Sequence, residues 1–366
     1  MKTFRSNKLK SQFLKLFWIT LAWTLISCYQ FSISYTAILN LNCDLGNISP
    51  LVYLGGAILT GILAGIIGGG SLVFVWEKWL RSINYGKALM YMFFSYIIIY
   101  LLVAIPSAFF FQSNDLGLSF FDPQLRKAVL FSFFEISQLS NFIVWLVIVM
   151  GTLIILQVSD KYGPGIFSSF LLGKYFQPTR EERIFMFLDL RSSTTIAERL
   201  GEVRYFNFIK DVFKDATPPI IYAKGEIYQY VGDEIIISWK MDNGIQNANC
   251  INCFFEIQSA LRQRNKYYES TYDGIQPEFK AGLHYGHVMA GEIGVVKRDI
   301  AYSGDVLNTA ARIQSKCNEL GVNILFSKYL LDKISLKPNL LTPTRIGDMK
   351  LRGKKNKVLL YTVSES

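Results

Sequence analysis

Histidine and cysteine are scarce in this chain, two and five among 366 residues. That scarcity removes several chemistries. The cysteines do not make a disulfide framework of the kind that staples small extracellular domains. Cys250 and Cys253 form a C-x-x-C, but no second pair follows at zinc-site spacing. The segment around them, residues 248–261, has amphipathic helical periodicity, so both thiols are expected on or near a buried face. His284 and His287 lie three apart on a predicted strand, residues 283–288, hence on opposite faces, and are read as structural rather than as joint metal ligands. Ionisable side chains are missing from the middle of the long apolar runs. Glu135, at the start of the last run, comes nearest, and this pattern argues against a polar transport path. A basic stripe with interleaved aromatics is missing too. The net charge is +10, but the excess is spread out, with one cluster (Lys2, Arg5, Lys8, Lys10, Lys15) just before the first apolar run. No nucleic-acid partner is expected.

What is present is apolar and unevenly placed. Hydrophobic residues make up 51% of the chain and pile up before about Val158; beyond it charged and apolar residues interleave. The chain reads as a transmembrane region over residues 1–158, a linker and short helix over 159–182, and a soluble domain over 183–366. Runs at 13–39, 51–76, 88–111 and 141–158 each approach the roughly 20 apolar residues a bilayer span needs, with 129–134 as an apolar lead-in to the last. Basic residues flank the N-terminus and the 77–87 loop (Lys78, Arg81, Lys87), whereas the loops at 42–47 and 112–122 have almost none. Four spans then return the soluble domain to the cytoplasmic side of the cell (inner) membrane, with membrane lipid as a partner. Leu25-Ile-Ser-Cys28 resembles a lipoprotein cleavage box, but the apolar run continues to Leu39, which favours an uncleaved span. Gly61, Gly65 and Gly69 follow a G-x-x-x-G spacing that suits either a dimer seam or packing within one bundle.

The soluble half carries four elements of interest. Residues 183–190 (RIFMFLDL) read as a buried strand ending in Asp189. Immediately after it, Leu190, Arg191, Ser192, Ser193 and Thr194 lead into a helix whose free first-turn amides suit phosphate. Residues 226–230 and 234–239 read as two strands joined by a tight turn, Val231-Gly232-Asp233, with Asp233 exposed at its tip. Two carboxylates facing a phosphate cradle suit two hard divalent ions, Mg2+ or Mn2+. Asn308 and Arg312, four apart, share one helix face, where an amide and a guanidinium can orient a ribose and offset charge at phosphorus. Residues 351–355, which include Arg352 and Lys354, form a Gly-bearing basic stretch between probable strands, within reach of a triphosphate tail.

In order and spacing these four elements resemble the catalytic domain of class III adenylate/guanylate cyclases, over roughly residues 172–363. The stretches Gly232-Asp-Glu234 and 282–294 (GLHYGHVMAGEIG) also match. The resemblance implies an α+β, ferredoxin-like β-α-β-β-α-β core that works as a homodimer. Asp189 and Asp233 fall at the metal-binding aspartates, Asn308 and Arg312 at the ribose-orienting asparagine and the transition-state arginine, and Arg352, with Lys354 beside it, at the triphosphate-binding lysine. The family takes the two aspartates from one chain and the Asn/Arg pair from the other. The implied reaction is internal displacement: the ribose 3′-hydroxyl, activated by one metal, attacks the α-phosphorus of a nucleoside triphosphate while a second metal holds the triphosphate, giving a cyclic nucleotide and pyrophosphate.

The sequence departs from the family at base selection. The two base-reading positions fall at Gln229 and Ala301. Glutamine offers both a donor and an acceptor, alanine neither, so Tyr302 or a backbone group takes its place. The family's general leaning favours ATP; GTP and a pyrimidine triphosphate stay open. Ser192 and Ser193 stand where the family often has Gly-Phe, and Arg191 is read as solvated or as a further phosphate contact. The competing readings are a catalytically inactive cyclase-like signalling protein and a membrane receptor or channel that the soluble domain regulates.

Overall fold

The computed structural model describes residues 2–40, 49–76, 79, 85–162, 173–296, 298–335, 341–354 and 356–365. The chain divides into two compact units, Met1–Lys161 and Tyr162–Ser366.

The first unit is an up-and-down helical bundle: α1 (Lys2–Asn40), α2 (Pro50–Ala64), α3 (Tyr85–Leu116), the short α4 (Pro123–Ser132) and α5 (Ile136–Tyr162). Four stretches are long and apolar enough to cross a membrane: Gln12–Asn40, Pro50–Trp76, Met90–Leu116 and Ile136–Ser159. The apolar lead-in expected at 129–134 is not continuous with the last of these. It belongs mostly to α4, whose N-cap Asp122 accepts from the Gln124 amide at 2.8 Å, and a turn at 133–135 separates it from α5. Beyond Ala64 the second helix continues through two π-helical segments, Gly65–Gly69 and Leu72–Trp76. The glycine spacing in this helix serves packing inside the bundle. A Cβ at Gly61 would lie 2.5 Å from the Thr24 Cα, one at Gly65 2.5 Å from the Thr20 Cα, and one at Gly69 2.8 Å from Ile19. Helix α1 therefore presses backbone to backbone on α2, and the Ser27 hydroxyl donates to the Ala57 carbonyl at 2.8 Å. The loop at 42–47 and most of the 77–87 loop lie outside the described residues.

In the second unit the order is β1 (Thr179–Leu190), α6 (Ser193–Leu200), α7 (Glu202–Tyr222), β2 (Glu226–Val231), β3 (Glu234–Lys240), α8 (Met241–Ile245), α9 (Asn249–Gln263), α10 (Asn265–Thr271), β4 (Phe279–Ile293), β5 (Asp299–Ser303), α11 (Asp305–Ser315), β6 (Ile324–Ser327), α12 (Lys328–Leu331), β7 (Leu341–Met349) and β8 (Val358–Glu365). The strands form one eight-stranded sheet in the order β2-β3-β1-β4-β6-β8-β7, with β5 paired to β4. Strands β1 to β4 with their two helical crossovers make the expected ferredoxin-like core. The short helix expected at 167–175 lies outside the described residues except for Gly173, Lys174 and Tyr175, which form a turn.

Strand β1 is central because it is apolar on both faces. Ile184, Met186 and Leu188 point to one core, shared with Phe208, Val212, Phe254 and Ile257 of α7 and α9. Phe185 and Phe187 point to the other, where Ile236, Val288, Val306 and Ala310 meet them. Each such side chain contributes roughly 1.5–3 kcal/mol by leaving water. Cys250 and Cys253 are fully buried on α9 and free; burial pushes the Cys250 thiol up to about 12, which leaves it inert.

Candidate active site

Asp189 is the last but one residue of β1 and is flanked on both sides. In the sheet register it stands opposite Glu234 of β3 and opposite Lys280 of β4. The β2–β3 turn, with Gly232 at φ 60°, delivers Asp233 to the same place. Asp233 is half-buried there rather than exposed at a tip, and it is close enough for its side chain to hydrogen-bond and repel that of Asp189. Three carboxyl groups thus crowd the ends of adjacent strands.

Electrostatics record the crowding. Burial, with the Asp233 charge adding to it, holds the Asp189 carboxyl above its ordinary range against the pull of Lys280. Burial and the charges of Asp189 and Asp233 push the Glu234 carboxyl up to about 7. Lys280 Nζ lies 3.0 Å from Asp189 Oδ2, and Gln314 Nε2 donates to the same oxygen at 2.8 Å. Tyr205 of α7 is raised above its usual range by burial first, then by the Asp233 charge, while its phenol meets the Ser193 hydroxyl.

The residues fit a divalent cation. Asp189 and Asp233 are hard oxygen donors side by side, their mutual repulsion is what a cation relieves, and Lys280 already brings positive charge to the spot. Among the described residues no group of three or more His, Cys, Asp or Glu side chains is arranged as a metal cage.

Helix α11 reaches this corner because β4 has glycine beneath it. A Cβ at Gly282 would meet the Gln314 amide nitrogen at 2.2 Å, and one at Gly286 would meet Val306 at 2.8 Å. The apolar stripe Val306, Ala310 and Ile313 is buried on the sheet, which leaves Asn308 exposed and Arg312 half-buried on the outward side. Among the described residues no hydrogen bond or ion pair joins Asn308 or Arg312 to Asp189 or Asp233. The basic stretch between β7 and β8 comes to Arg312 instead: Gly353, at φ 69°, stands so that a Cβ would be 3.4 Å from the guanidinium. Lys354 forms an ion pair with Asp305 at the start of α11, and Arg352 is exposed. The structure therefore gathers the sequence-predicted residues into two groups on one chain, a carboxylate corner and an outward-facing Asn/Arg helix with its basic loop.

A family model for the adenylate and guanylate cyclase catalytic domain matches residues 177–365. The chain belongs to the class III adenylate/guanylate cyclase family. It is 33% identical over 225 residues to adenylate cyclase 2 of Rhizobium meliloti (strain 1021), covering 61% of each chain. It is 27% identical over 184 residues to an adenylate cyclase of Anabaena cylindrica, covering 49% of this chain and 36% of that one. The chain thus spans less than two thirds of the length of these curated relatives. Among solved structures it resembles a bacterial light-regulated adenylyl cyclase (TM-score 0.53, 23% identity, covering 63% of this chain and 66% of that chain), a likeness of fold.

Within the cyclase domain the remaining sequence-predicted residues divide. Ser192 takes φ 56°, a left-handed conformation that glycine adopts without strain, which accounts for the glycine the family often has there. Helix α6 then opens at Ser193, so the amides of Ser193 and Thr194 lack intrahelical acceptors. Arg191 differs from its expected part. Its amide donates to the Glu278 carbonyl at 2.8 Å, and its guanidinium donates to the Val322 carbonyl at 2.8 Å and to Asn323 at 2.5 Å. Its guanidinium is half-exposed and engaged by these acceptors, tying the β1 end to the turn before β6. Leu190 is buried in the core and offers the cradle backbone only.

Of the two positions expected to read the base, Gln229 is exposed just past a bulge in β2, and Ala301 is half-buried on β5 opposite Gly291. Tyr302 is committed elsewhere. Its ring packs on Tyr228 (5.0 Å between centroids) and Phe185 (5.5 Å), with the Arg183 guanidinium 4.6 Å above it. Arg183 is itself buried and bonds Glu181, Glu226 and Ser238 at 2.8, 2.6 and 3.2 Å. Glu234, Lys280, Gln314 and Tyr205 are the site residues that sequence reasoning assigned no part. For Glu234 the signal was there, since it directly follows Asp233 in the hairpin; Lys280 comes to Asp189 only through the β1–β4 register.

Proposed function

We propose that this chain is a membrane-anchored nucleotidyl cyclase that converts ATP to 3′,5′-cyclic AMP and pyrophosphate at a homodimer interface, in intracellular signalling. The observation that carries the reading is the pairing of Asp189 with Asp233 on a chain whose Asn308 and Arg312 face outward, away from any contact with that pair. A second copy supplies the missing half, and a two-fold dimer makes two equivalent sites. The membrane region is taken as residues 1–158, the linker as 159–182 and the catalytic domain as 183–366. The domain lies on the cytoplasmic side of the cell (inner) membrane, which the basic flanks of the first and third spans support.

In this reading Asp189 and Asp233 hold two Mg2+ or Mn2+ ions, with Lys280 and Gln314 orienting the Asp189 carboxylate. Bound there, the ions supply Lewis-acid activation of the 3′-hydroxyl and neutralise the triphosphate. Asn308 of one copy orients the ribose, so that the 3′-oxygen attacks the α-phosphorus of the same molecule and pyrophosphate leaves; nucleophile and electrophile are already joined, which lowers the entropic cost. Arg312 offsets the charge that develops at phosphorus. Arg352 and Lys354 receive the triphosphate tail, Lys354 exchanging Asp305 for phosphate, and the open amides of Ser193 and Thr194 assist. Gln229 and the backbone at Ala301 read the base. The names of the two curated relatives, both adenylate cyclases, support ATP.

The test uses the purified full-length protein with Mn2+ and each of ATP, GTP, CTP and UTP, with products resolved by mass. Cyclic AMP as the dominant product is expected. Dominant cyclic GMP or a cyclic pyrimidine nucleotide keeps the cyclase and reassigns the base. Nucleotide binding without any cyclic product overturns the reading in favour of an inactive, contact-signalling cyclase homologue.

A further inference from the structure

The helical unit encloses a cavity of about 630 Å³, a volume typical of small-molecule sites, which run roughly 300–1,000 Å³. It is built asymmetrically. Helices α1, α2, α3 and α5 alternate in direction, as the contacts Gly61–Thr24, Thr60–Ser107 and Tyr96–Phe142 require. Residues late in α1 and α3 and early in α2 and α5 therefore share one end of the bundle. That end of the cavity is lined by Gln30, Ser34, Tyr53 and Gln112, Gln138 lies deeper beside Tyr100, and the other end is lined by Leu72, Trp76, Met92, Val149 and Leu153. Polar side chains gather at the mouth and apolar ones form the floor.

Two further features point to an occupant. The Tyr53 hydroxyl is buried without a hydrogen-bond partner, although its residue lines the mouth and its ring packs on Phe111 (5.3 Å between centroids). A buried, unpaired hydroxyl costs roughly 1–3 kcal/mol, a cost that a ligand oxygen removes. The wall of α2 that lines the floor runs through the π-helical segments, a distortion that often accompanies functional sites.

The lining also selects the charge of the occupant. Among the described residues it contains no Lys, Arg or His. A carboxylate or phosphate headgroup would find no cation there to offset its charge. Glutamine amides, serine hydroxyls and the tyrosine hydroxyl instead suit a neutral hydroxyl or carbonyl.

We propose that the helical unit is a binding site for an uncharged amphiphile, whose apolar body sits on the Trp76–Met92–Leu153 floor and whose hydroxyl or carbonyl head hydrogen-bonds Tyr53 and the glutamines at the mouth. The site stands independently of the chemistry of the C-terminal unit.

The test exploits the tryptophans of the cavity wall, Trp23, Trp76 and Trp145. Full-length protein in phosphatidylcholine nanodiscs is titrated with an ω-brominated undecyl alcohol and, separately, with the ω-brominated carboxylate of the same chain length, and quenching of tryptophan emission is followed. Saturable quenching by the alcohol is expected, with the carboxylate weaker by about tenfold or more. Tyr53→Phe, which leaves the packing in place, is expected to weaken the alcohol about fivefold, the worth of one neutral hydrogen bond. Ala104→Phe, which fills the cavity, is expected to remove the saturable component, and if that variant misfolds the Tyr53→Phe comparison still decides. Quenching that rises linearly with either probe and is the same in wild type and Tyr53→Phe reports partition into the bilayer alone and overturns the proposal. A carboxylate that saturates as well as the alcohol does overturns its assignment of an uncharged ligand.

Discussion

Gly282 of β4 and Gln314 of α11 meet backbone to backbone, so that a Cβ on the glycine would lie 2.2 Å from the Gln314 amide nitrogen. The side chain of that same glutamine reaches Asp189 Oδ2 at 2.8 Å. One missing methyl group therefore sets how closely the helix of Asn308 and Arg312 packs on β4, the neighbour of the strand that carries Asp189. Gly282→Ala is expected to push α11 outward and to destabilise the domain by about 1–3 kcal/mol, the usual cost of overpacking. It is also expected to lower turnover by about 100-fold, since an ångström of misplacement is enough for that. Thermal unfolding and kcat measured on one preparation check both figures. Wild-type kcat in a folded Gly282→Ala protein would show that catalysis does not depend on this contact.

The separation of the two residue groups predicts complementation. Asp233→Asn is expected to abolish turnover with Mg2+ or Mn2+ while leaving the fold intact, because a neutral amide keeps the hairpin but loses the charge. Arg312→Ala is expected to lower kcat by a factor of about 100–1,000, as removal of a transition-state donor does. Mixed in equal amounts, the two inactive proteins should recover about a quarter of wild-type activity, since half the dimers are heterodimers and each of those has one intact site. Co-expression with two affinity tags, followed by assay of doubly captured protein, isolates the heterodimers alone, which should show about half of wild-type activity per dimer. Recovery of nothing in protein shown to contain both chains would place the aspartates and the arginine in one site of one chain.

The parts of this architecture that were legible in the sequence are those with local causes. The strand ending in Asp189 showed as an unbroken apolar run, the β2–β3 hairpin as Val231-Gly232-Asp233 between two such runs, and α11 as a helical stripe that leaves Asn308 and Arg312 together. Register and long-range packing decide the rest. Lys280 is separated from Asp189 by the entire first half of the fold and meets it only through the β1–β4 ladder. Arg191 read as solvated or as a further phosphate contact, and only the fold shows the turn at Asn318–Asn323 accepting its hydrogen bonds. The glycines of α2 carried the same spacing whether they faced a second bundle or α1, and only the positions of Thr20 and Thr24 separate the two. Arg183 gave no signal at all: a charged residue at the start of an apolar strand reads as its solvated end, whereas here Glu181, Glu226 and Tyr302 close over it.

That closure predicts an asymmetric stability effect. Arg183 is 1% exposed, and Glu181 and Glu226 are held against it. Arg183→Met is expected to cost about 3–5 kcal/mol, because it leaves the half-buried Glu226 carboxylate without its cation and Glu181 with Lys174 alone. Adding Glu226→Gln to Arg183→Met should restore a good part of the loss, since the uncompensated charge rather than the missing pair carries the cost. Urea midpoints of the three variants and wild type, compared at one pH, test the cycle. Additive destabilisation by the second change would mean that Glu226 is stabilised by something other than Arg183.

His284 sets a pH limit on the domain. It is buried on β4, 2.7 Å from the Ser327 hydroxyl, with the Tyr329 ring edge-on at 6.1 Å and with Lys354 and Asp305 as the charges near it. Ser327 Oγ also accepts from the Leu330 amide at 3.3 Å, and the direction of its bond with Nδ1 follows the imidazole tautomer. Burial, reinforced by the Lys354 charge, pushes the imidazole down to about 4 from its ordinary 6.5. The unfolded chain therefore binds a proton that the folded chain refuses between those two values, so the His284 contribution to stability falls as pH drops through that window, against the opposite contribution of Glu234, whose raised carboxyl takes up a proton in the folded state. From pH 6.5 to about pH 5 the loss amounts to roughly 2 kcal/mol. His284→Asn, which keeps a hydrogen-bonding group toward Ser327 but does not titrate, should flatten this part of the profile at some cost in stability at neutral pH. Urea midpoints of both proteins at pH 7 and pH 5 give the answer: equal losses in the two would move the acid sensitivity from His284 to other titrating groups of the domain.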